Sequence, residues 1–263
     1  MKLMSLPPLA SQHGAKVDSL LFYVHYLMAA LFVVWIAYFF YVIFRFSARR
    51  NPKASYTGYT GPFTTYLEVG VAVIEVILLV GLAIPLWANA ADGFPNASEA
   101  DGKTILGTDG KPVATIVRIT AQQFAWNGRY AGGDGYFGRQ EIKNLAADNQ
   151  FAIDKKDPHA ADDLKTAEFV VPVNKPVILH ITSMDVIHSF AVHPLRIMQD
   201  AIPGVSIPVH FVPTTVGDYQ ITCAQLCGNS HFRMKGFFKV RSEADYETWL
   251  AAQPKAVGSA SFE

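Results

Sequence analysis

The sequence is poor in cysteine and carries no surplus of charge. It has two cysteines, and no Cys-x-x-Cys-His segment occurs, which excludes a covalently attached c-type haem. No internal repeat is present. Residues 91–263 hold sixteen Lys and Arg against nineteen Asp and Glu. A nucleic-acid-binding domain would carry a basic surplus, so this mildly acidic balance argues against a nucleic-acid partner.

Two long apolar runs dominate the first ninety residues. Residues 20–44 contain His25 as their only strongly polar member, and residues 69–87 contain one charge, Glu75. A helix of 25 residues is about 37 Å long, which exceeds the ~30 Å hydrocarbon core of a bilayer. Buried helices of a large soluble protein are the alternative, but soluble cores rarely use such long apolar runs. The sequence predicts a membrane anchor over residues 1–90, with transmembrane helices at about 20–46 and 67–88.

The charges between the two runs predict how the chain crosses the membrane. Arg45, Arg49, Arg50 and Lys53 lie in the short connection. Short basic loops stay in the cytoplasm, which places both termini on the periplasmic or outer side. Two helices alone form no transport pathway. We therefore expect the anchor to lie in lipid and to pack against a larger membrane partner.

Residues 91–263 have the pattern of an all-β domain. Gly, Pro, Asp and Asn become frequent, and the apolar runs shorten to four to eight residues between turn signals. This pattern is typical of a sandwich or barrel, and about 170 residues suffice for one core. The clearest strand candidates are residues 113–120, 168–171, 177–182, 205–212, 218–222 and 236–240. Ser242 followed by Asp245 predicts a C-terminal helix, and the polar residues 132–164 predict a long surface excursion.

Both cysteines belong to a dense cluster of soft metal ligands. The segment Cys223-Ala-Gln-Leu-Cys227-Gly-Asn-Ser-His231-Phe-Arg-Met234 offers two thiols, an imidazole and a thioether within a dozen residues. Such donors favour copper over magnesium, calcium or manganese. On a membrane-anchored domain, a copper site of this kind indicates electron transfer.

Three interpretations of this segment stay open from the residues alone. The cysteines could form a disulfide, as is common in exported domains, but so small a loop would remove little entropy from the unfolded chain. A single blue-copper site would combine Cys227, His231 and Met234 with a histidine from elsewhere. His188 is the preferred fourth ligand because it follows a predicted strand, and His193 is the alternative. A pair of coppers bridged by both sulfurs would also use Cys223.

The motifs around this segment resemble one protein family. Asp185-Val-Ile-His188-Ser-Phe190, Asp200-Ala-Ile-Pro-Gly204 and Cys223-x-x-x-Cys227-Gly-x-x-His231-x-x-Met234 are similar to subunit II of the haem–copper cytochrome c oxidases. The resemblance implies two N-terminal transmembrane α-helices followed by an all-β cupredoxin-like sandwich domain. It also implies a dinuclear copper centre, CuA. The implied ligands are His188, Cys223, the backbone carbonyl of Gln225, Cys227, His231 and Met234.

The same resemblance implies a role for the chain. A subunit II accepts electrons from cytochrome c or a similar carrier at CuA and passes them to subunit I, where O₂ is reduced and protons are pumped. The implied partners are subunit I with its haem and CuB, subunit III, the electron carrier and membrane lipid. The implied location is the bacterial inner membrane, with residues 91–263 in the periplasm. The chain is not expected to be catalytic alone.

Three features of the sequence depart from the family pattern. Gln225 stands where the family usually has a Glu that also reaches a magnesium ion shared with subunit I. An amide oxygen is a poorer ligand for Mg²⁺, which argues against a shared magnesium site. Phe124 replaces the Trp at which electrons usually enter, so Phe124 or Trp126 is expected to take them up. The first ninety residues lack the family's Trp-Thr-x-x-Pro pattern, and Glu68 is the candidate at which protons enter because it lies where the family has its proton-channel Glu.

Two other functions compete with this one. A quinol oxidase subunit II has a similar architecture without copper, but such proteins lack the cysteine loop. A membrane-anchored copper chaperone can also carry Cys-x-x-x-Cys, but on a thioredoxin-like fold with its histidine far downstream. Here His231 and Met234 follow directly on a β-rich domain, which disfavours both alternatives. Copper stoichiometry distinguishes the three functions.

Overall fold

The computed structural model describes residues 6–53, 56–58, 61–97, 103–146 and 148–255. Within these ranges the chain divides into two compact units. Residues 16–89 make up a helical unit, and the residues on either side of them form a second unit built on β-strands.

The helical unit consists of two long apolar helices. Helix α1 covers Gly14–Arg45. The second helix begins with α2 at Phe63–Leu78, passes through a π-helical turn at Leu79–Ala83 and continues as α3 over Ile84–Asp92. The most apolar stretch of each helix is not buried within the protein, and both helices are long enough to cross a membrane. They begin earlier than predicted because a helix can continue into residues that are too polar for hydropathy to detect.

The β unit is a sandwich of two five-stranded sheets. Its strands are β1 Thr115–Gln122, β2 Ala125–Tyr130, β3 Leu164–Thr166, β4 Glu168–Pro172, β5 Val177–Ser183, β6 His188–Val192, β7 Ile197–Ala201, β8 Ile207–Phe211, β9 Gly217–Cys223 and β10 Lys235–Arg241. One sheet has the order β3-β2-β1-β5-β8 and the other has the order β4-β10-β9-β6-β7. The pairs β1·β5 and β4·β10 are parallel. The predicted fold class, two N-terminal helices followed by an all-β sandwich, is confirmed.

Alternate side chains along the strands fill the space between the two sheets. The core positions of β1 and β5 are fully buried: Val117, Ile119, Ala121, Leu179 and Ile181. Phe190 of β6 and Phe238 of β10 pack edge-on from the opposite sheet. Because successive side chains point to opposite faces of a strand, the residues between these core positions lie on the outer face of their sheet.

A buried ion pair holds the long excursion between β2 and β3 to the sandwich. Arg129 Nη1 lies 3.1 Å from Asp163 Oδ2, and both side chains are fully buried. Both side chains also bond to the backbone of Gly138: the guanidinium donates to its carbonyl oxygen, and the carboxylate accepts from its amide. These contacts anchor a segment whose polar sequence could not form a core of its own.

The segment before α1 belongs to the β unit, although the sequence analysis grouped residues 1–90 as the anchor. The hydroxyl of Ser11 donates to the carbonyl oxygen of Leu195 at 2.7 Å. The amide of Ala10 donates to the carbonyl oxygen of Pro194 at 2.8 Å. Hydropathy could not reveal this attachment because backbone groups make much of it.

Helix α4, Glu243–Ala251, follows the last strand. The hydroxyl of Ser242 accepts a hydrogen bond from the amide of Asp245 at 3.2 Å, which satisfies a free donor of the first turn. Trp249 of this helix packs edge-on against Tyr130, with ring centres 5.3 Å apart. The helix therefore shields part of the core of the sandwich.

Candidate metal centre

Two loops at the same end of the sandwich carry the sulfur and imidazole groups. The β5–β6 loop ends at His188, and residues 224–234 connect β9 to β10. Strand β6 pairs with β9 so that Phe190 lies opposite Cys223. This register brings the start of β6 next to the cysteine loop, which is why two motifs that are distant in sequence meet.

Cys227 lies at the centre of one half of the cluster. Its sulfur is 3.8 Å from the sulfur of Cys223. It is also 3.4 Å from Nδ1 of His231 and 3.8 Å from the thioether sulfur of Met234. A 3₁₀ turn at His231–Arg233 folds the loop back, so that His231 and Met234 face the same sulfur.

Cys223 lies at the centre of the other half. Its sulfur is 4.0 Å from Nδ1 of His188 and 3.2 Å from the carbonyl oxygen of Gln225. The donor atoms of His188, Cys223 and Cys227 all lie within 4.8 Å of one another. The structure therefore brings together every residue predicted as a copper ligand. The alternative ligand His193 lies beyond the opposite end of β6, so it does not reach this cluster.

The donor set fits a soft metal. His188, Cys227 and Met234 are almost fully buried, and both cysteines are free thiols. Burial, reinforced by the neighbouring Cys223, raises the pKa of the Cys227 thiol to about 11. A metal ion reverses this effect, because a coordinating thiol loses its proton. Thiolate, thioether and imidazole donors together suit copper.

Comparison with known proteins finds similarity to subunit II of cytochrome c oxidases. The sequence model of the family described as "Cytochrome C oxidase subunit II, periplasmic domain" matches residues 117–239. The alternative cytochrome c oxidase subunit 2 of Bradyrhizobium diazoefficiens is 28% identical over 254 residues, covering 95% of this chain and 84% of that protein. The cytochrome c oxidase subunit 2 of Cereibacter sphaeroides is 27% identical over 256 residues, covering 92% and 78%.

The chain is similar to the cytochrome c oxidase subunit II family, whose periplasmic-domain model matches residues 117–239. Its members are subunits of an oxidoreductase complex and typically carry copper. The two apolar helices fit a membrane-anchored subunit. Among solved structures, the periplasmic domain of subunit II of cytochrome oxidase from Bradyrhizobium japonicum is 26% identical with a TM-score of 0.39, covering 52% of this chain and 91% of that one.

In this chain, one hydrogen-bond network connects both loops of the candidate metal centre to the turn between β1 and β2. Oδ1 of Asp185 lies 2.9 Å from Nε2 of His188, which leaves the other ring nitrogen facing Cys223. Oδ2 of Asp185 accepts from the backbone amide of Gln123 at 2.7 Å. The Gln123 side chain donates from Nε2 to the carbonyl oxygen of Cys227 at 2.6 Å. Such contacts orient metal ligands, and sequence reasoning assigned Gln123 no role in the site.

Gly228 makes room for this network. Its φ is +135°, a conformation that L side chains rarely adopt. A Cβ at this position would lie 2.7 Å from Nε2 of Gln123. The glycine that follows Cys227 therefore lets the cysteine carbonyl and the Gln123 amide approach each other.

The two residues predicted to take up electrons occupy different positions. Trp126 is only 3% exposed, and its ring lies edge-on to those of His188 at 6.0 Å and Phe190 at 5.3 Å. Phe124 is half-buried, and its ring edge lies beside Gly228 at the metal loop. Trp126 is therefore shielded from a partner protein, whereas Phe124 reaches the surface.

Two exposed apolar residues near the ligands escaped sequence reasoning. Leu226 is 79% exposed and Phe232 is 83% exposed, and each is adjacent in sequence to a predicted ligand. The sequence signal that could have identified them is a large apolar side chain in a loop whose other residues are predicted ligands or turn formers. They give the surface around the metal loop an apolar character.

Glu68 lies near the start of α2 in the helical unit, and its side chain is exposed there. It belongs to the helical unit of the chain, whereas the candidate metal cluster belongs to the β unit. Its role as the residue where protons enter stays a prediction.

Proposed function

We propose that the chain is subunit II of a proton-pumping haem–copper terminal oxidase and that the cluster around Cys223 and Cys227 holds a dinuclear CuA centre. The observation that supports this most directly is the donor set itself. Two free thiols, two imidazoles, a thioether and a backbone carbonyl approach one another with neighbouring atoms 3.2–4.0 Å apart. A bound copper pair would accept and release one electron at a time.

Each donor has a proposed place. A copper pair would be held by the sulfurs of Cys223 and Cys227 together with the imidazoles of His188 and His231. The thioether of Met234 and the carbonyl oxygen of Gln225 would complete the ligand set. Asp185 fixes the His188 ring, because its carboxylate engages Nε2 and leaves Nδ1 free to bind. Burial of Cys227 and Met234 keeps bulk water from the sulfur side of the site.

The surface around the loop is proposed to receive the electron carrier. Phe124, Leu226 and Phe232 present apolar area beside the ligands, and cytochrome c or a similar carrier would dock there. The ring of Trp126 lies behind His188 and lines the inner side of the site. Electrons then pass to the haem and copper of subunit I, with subunit III as a further partner of the complex.

The remaining assignments concern the membrane and protons. We propose that both termini lie on the periplasmic side, that residues 1–90 anchor the chain by two spans, and that residues 91–263 form the exported domain. Glu68 is the proposed group where protons enter. A magnesium ion shared through Gln225 is not expected, because an amide oxygen is a poor ligand for a hard cation.

Copper analysis of the full chain in detergent tests the proposal. We expect two coppers per chain and, in the oxidised state, one unpaired electron shared equally by both copper nuclei in the electron paramagnetic resonance spectrum. A single localised copper would indicate a blue-copper site. Rapid transfer of the copper to an acceptor protein would indicate a chaperone, and no bound copper would indicate a quinol oxidase subunit.

A further inference from the structure

A cavity of about 290 Å³ lies between the outer face of strands β1 and β5 and the polar excursion that follows β2. Residues 140–142, 145 and 150–152 of the excursion supply one wall, and residues 204–206 close another side. Its volume is close to the lower end of the range for small-molecule sites, ~300 Å³. None of the residues that line it is a candidate copper ligand.

The floor of the cavity carries a cation that lacks a carboxylate partner. Arg118 and Arg129 are register neighbours on β1 and β2, and Arg129 forms the buried ion pair with Asp163. In the part of the chain that the structure describes, Arg118 has no such pair. Its guanidinium donates to the neutral Oε1 of Gln140 at 3.1 Å and lies 4.3 Å from the ring centre of Phe137. Burial lowers the pKa of Arg118, which the more distant charge of Asp163 only partly opposes.

Three further polar side chains face the cavity beside this guanidinium. His180 is the register partner of Arg118 on β5, and Thr120 and Thr182 form the pair two positions further along the same strands. Alternate residues share one face of a strand, and paired strands lie about 4.8 Å apart. The sheet therefore presents a guanidinium, an imidazole and two hydroxyls in one compact group.

The acidic residue in the lining does not cancel this positive floor. The carboxylate of Glu141 lies 3.3 Å from Nε of Arg139 and also pairs with the ammonium group of Lys143. Both of these cations are more than 60% exposed at the surface. The negative charge of Glu141 is therefore already balanced from outside the cavity.

The upper walls of the cavity are apolar. They are formed by Ile142, Leu145, Phe151, Met184 and Val205. Ile142 is 78% exposed and Val205 is 49% exposed. The mouth of the cavity therefore exposes apolar surface, which a ligand bound to Arg118 could cover.

We infer that this cavity binds a small organic monoanion, a carboxylate with a short apolar chain. The planar guanidinium of Arg118 offers donors in a fork that matches a carboxylate, and the hydroxyl of Thr120 can donate to its oxygens. The hydroxyl of Thr182 instead donates to the carbonyl oxygen of Ile202 at 3.4 Å. One unpaired cation selects a single negative charge, and the apolar walls accept the chain. The site is separate from the copper centre, so its test does not depend on the proposed electron transfer.

Titration calorimetry of the full chain in detergent with hexanoate tests the inference, after subtraction of the heat from protein-free micelles. We expect one saturable site per chain. Hexanamide has the same shape without the charge and should bind at least tenfold more weakly, and acetate should also bind more weakly because it lacks the chain. Absence of saturable hexanoate binding, equal binding of hexanamide, or equally tight binding of inorganic phosphate would overturn the assignment.

Matched variants separate the site from general electrostatics. Arg118→Gln should weaken hexanoate binding at least tenfold, and Arg118→Lys should retain part of it. Lys155→Gln removes the same charge from an exposed position of the excursion and should bind like the parent chain. Ile142→Ser, at an exposed position where folding is not at risk, should weaken hexanoate about threefold and leave acetate unchanged. Equal losses in Lys155→Gln and Arg118→Gln would contradict a built site.

Discussion

The sandwich contains two clusters of buried polar groups, and they differ in how their charge is balanced. Arg129 and Asp163 lie 3.1 Å apart and neutralise each other. Burial lowers the pKa of Arg129 and raises that of Asp163, and in each case the opposite charge of the partner works against the shift. The cluster around Cys227 instead groups electron-pair donors, and burial raises the pKa of its thiol. The first cluster is balanced within the chain, whereas the second has a donor set that suits a metal ion.

The largest expected effect concerns the cluster around Cys227, whose donor set suits a metal ion. Cys227→Ser removes the sulfur that contacts Cys223, His231 and Met234, so the paired-copper signal should vanish entirely. Copper content and the electron paramagnetic resonance spectrum of the full chain measure this. Ser230→Ala in the same loop should keep both coppers. A shared-electron spectrum that survives in Cys227→Ser would refute the bridged pair.

The next effect is on folding. Asp163→Asn leaves the guanidinium of Arg129 buried without a counter-charge, which should lower the free energy of unfolding by about 3–5 kcal/mol. Chemical denaturation followed by far-ultraviolet circular dichroism measures it. Asp148→Asn, at an exposed position of the same excursion, should change it by less than about 0.5 kcal/mol. Copper content should stay at the parent level in the folded fraction, and a loss of copper there would show that the two clusters are not independent.

A smaller effect tests whether the fold orients the metal ligands. Asp185→Ala removes the acceptor that holds Nε2 of His188 and the amide of Gln123. Copper affinity should fall about 10–100-fold, measured by competition with a chelator. Asp185→Asn retains one carbonyl acceptor and should lose less. Equal losses in the two variants would show that the charge of Asp185, rather than its hydrogen bonds, supports the site.

The smallest effect concerns Gln225. The proposed ligand is its backbone carbonyl, and the side chain is exposed. Gln225→Ala should therefore change copper affinity by less than about twofold, within the usual range for exposed substitutions. The same competition assay measures this. A tenfold loss would mean that the side chain itself takes part in the site.

Local patterns predict some of the strands and miss β2, β3, β6 and β7. The six predicted strands correspond to β1, β4, β5, β8, β9 and β10. Strand β6 is buried at all five positions and shows no alternation, and β3 has only three residues. Strand β2 contains Arg129, which is buried only because the excursion folds over it. That covering depends on Asp163, which lies 34 positions further along the chain.

The candidate site likewise has a part that local sequence patterns predict and a part that they do not. The predicted ligands fall in two short motifs, so spacing and resemblance suffice to name them. Gln123 is 104 residues from the carbonyl that it bonds, and no local pattern connects the two. The burial of Trp126 also depends on packing against Phe190 and His188 from another sheet. Contacts between residues that are far apart in the sequence could not be predicted from local patterns.

The position of Trp126 supplies an optical probe inside the protein. Trp126 is sealed in the core with its ring 6.0 Å from that of His188. A copper ion bound at the proposed site would quench the fluorescence of so close an indole. Loading of the site can therefore be followed as a loss of part of the tryptophan emission, without any added dye.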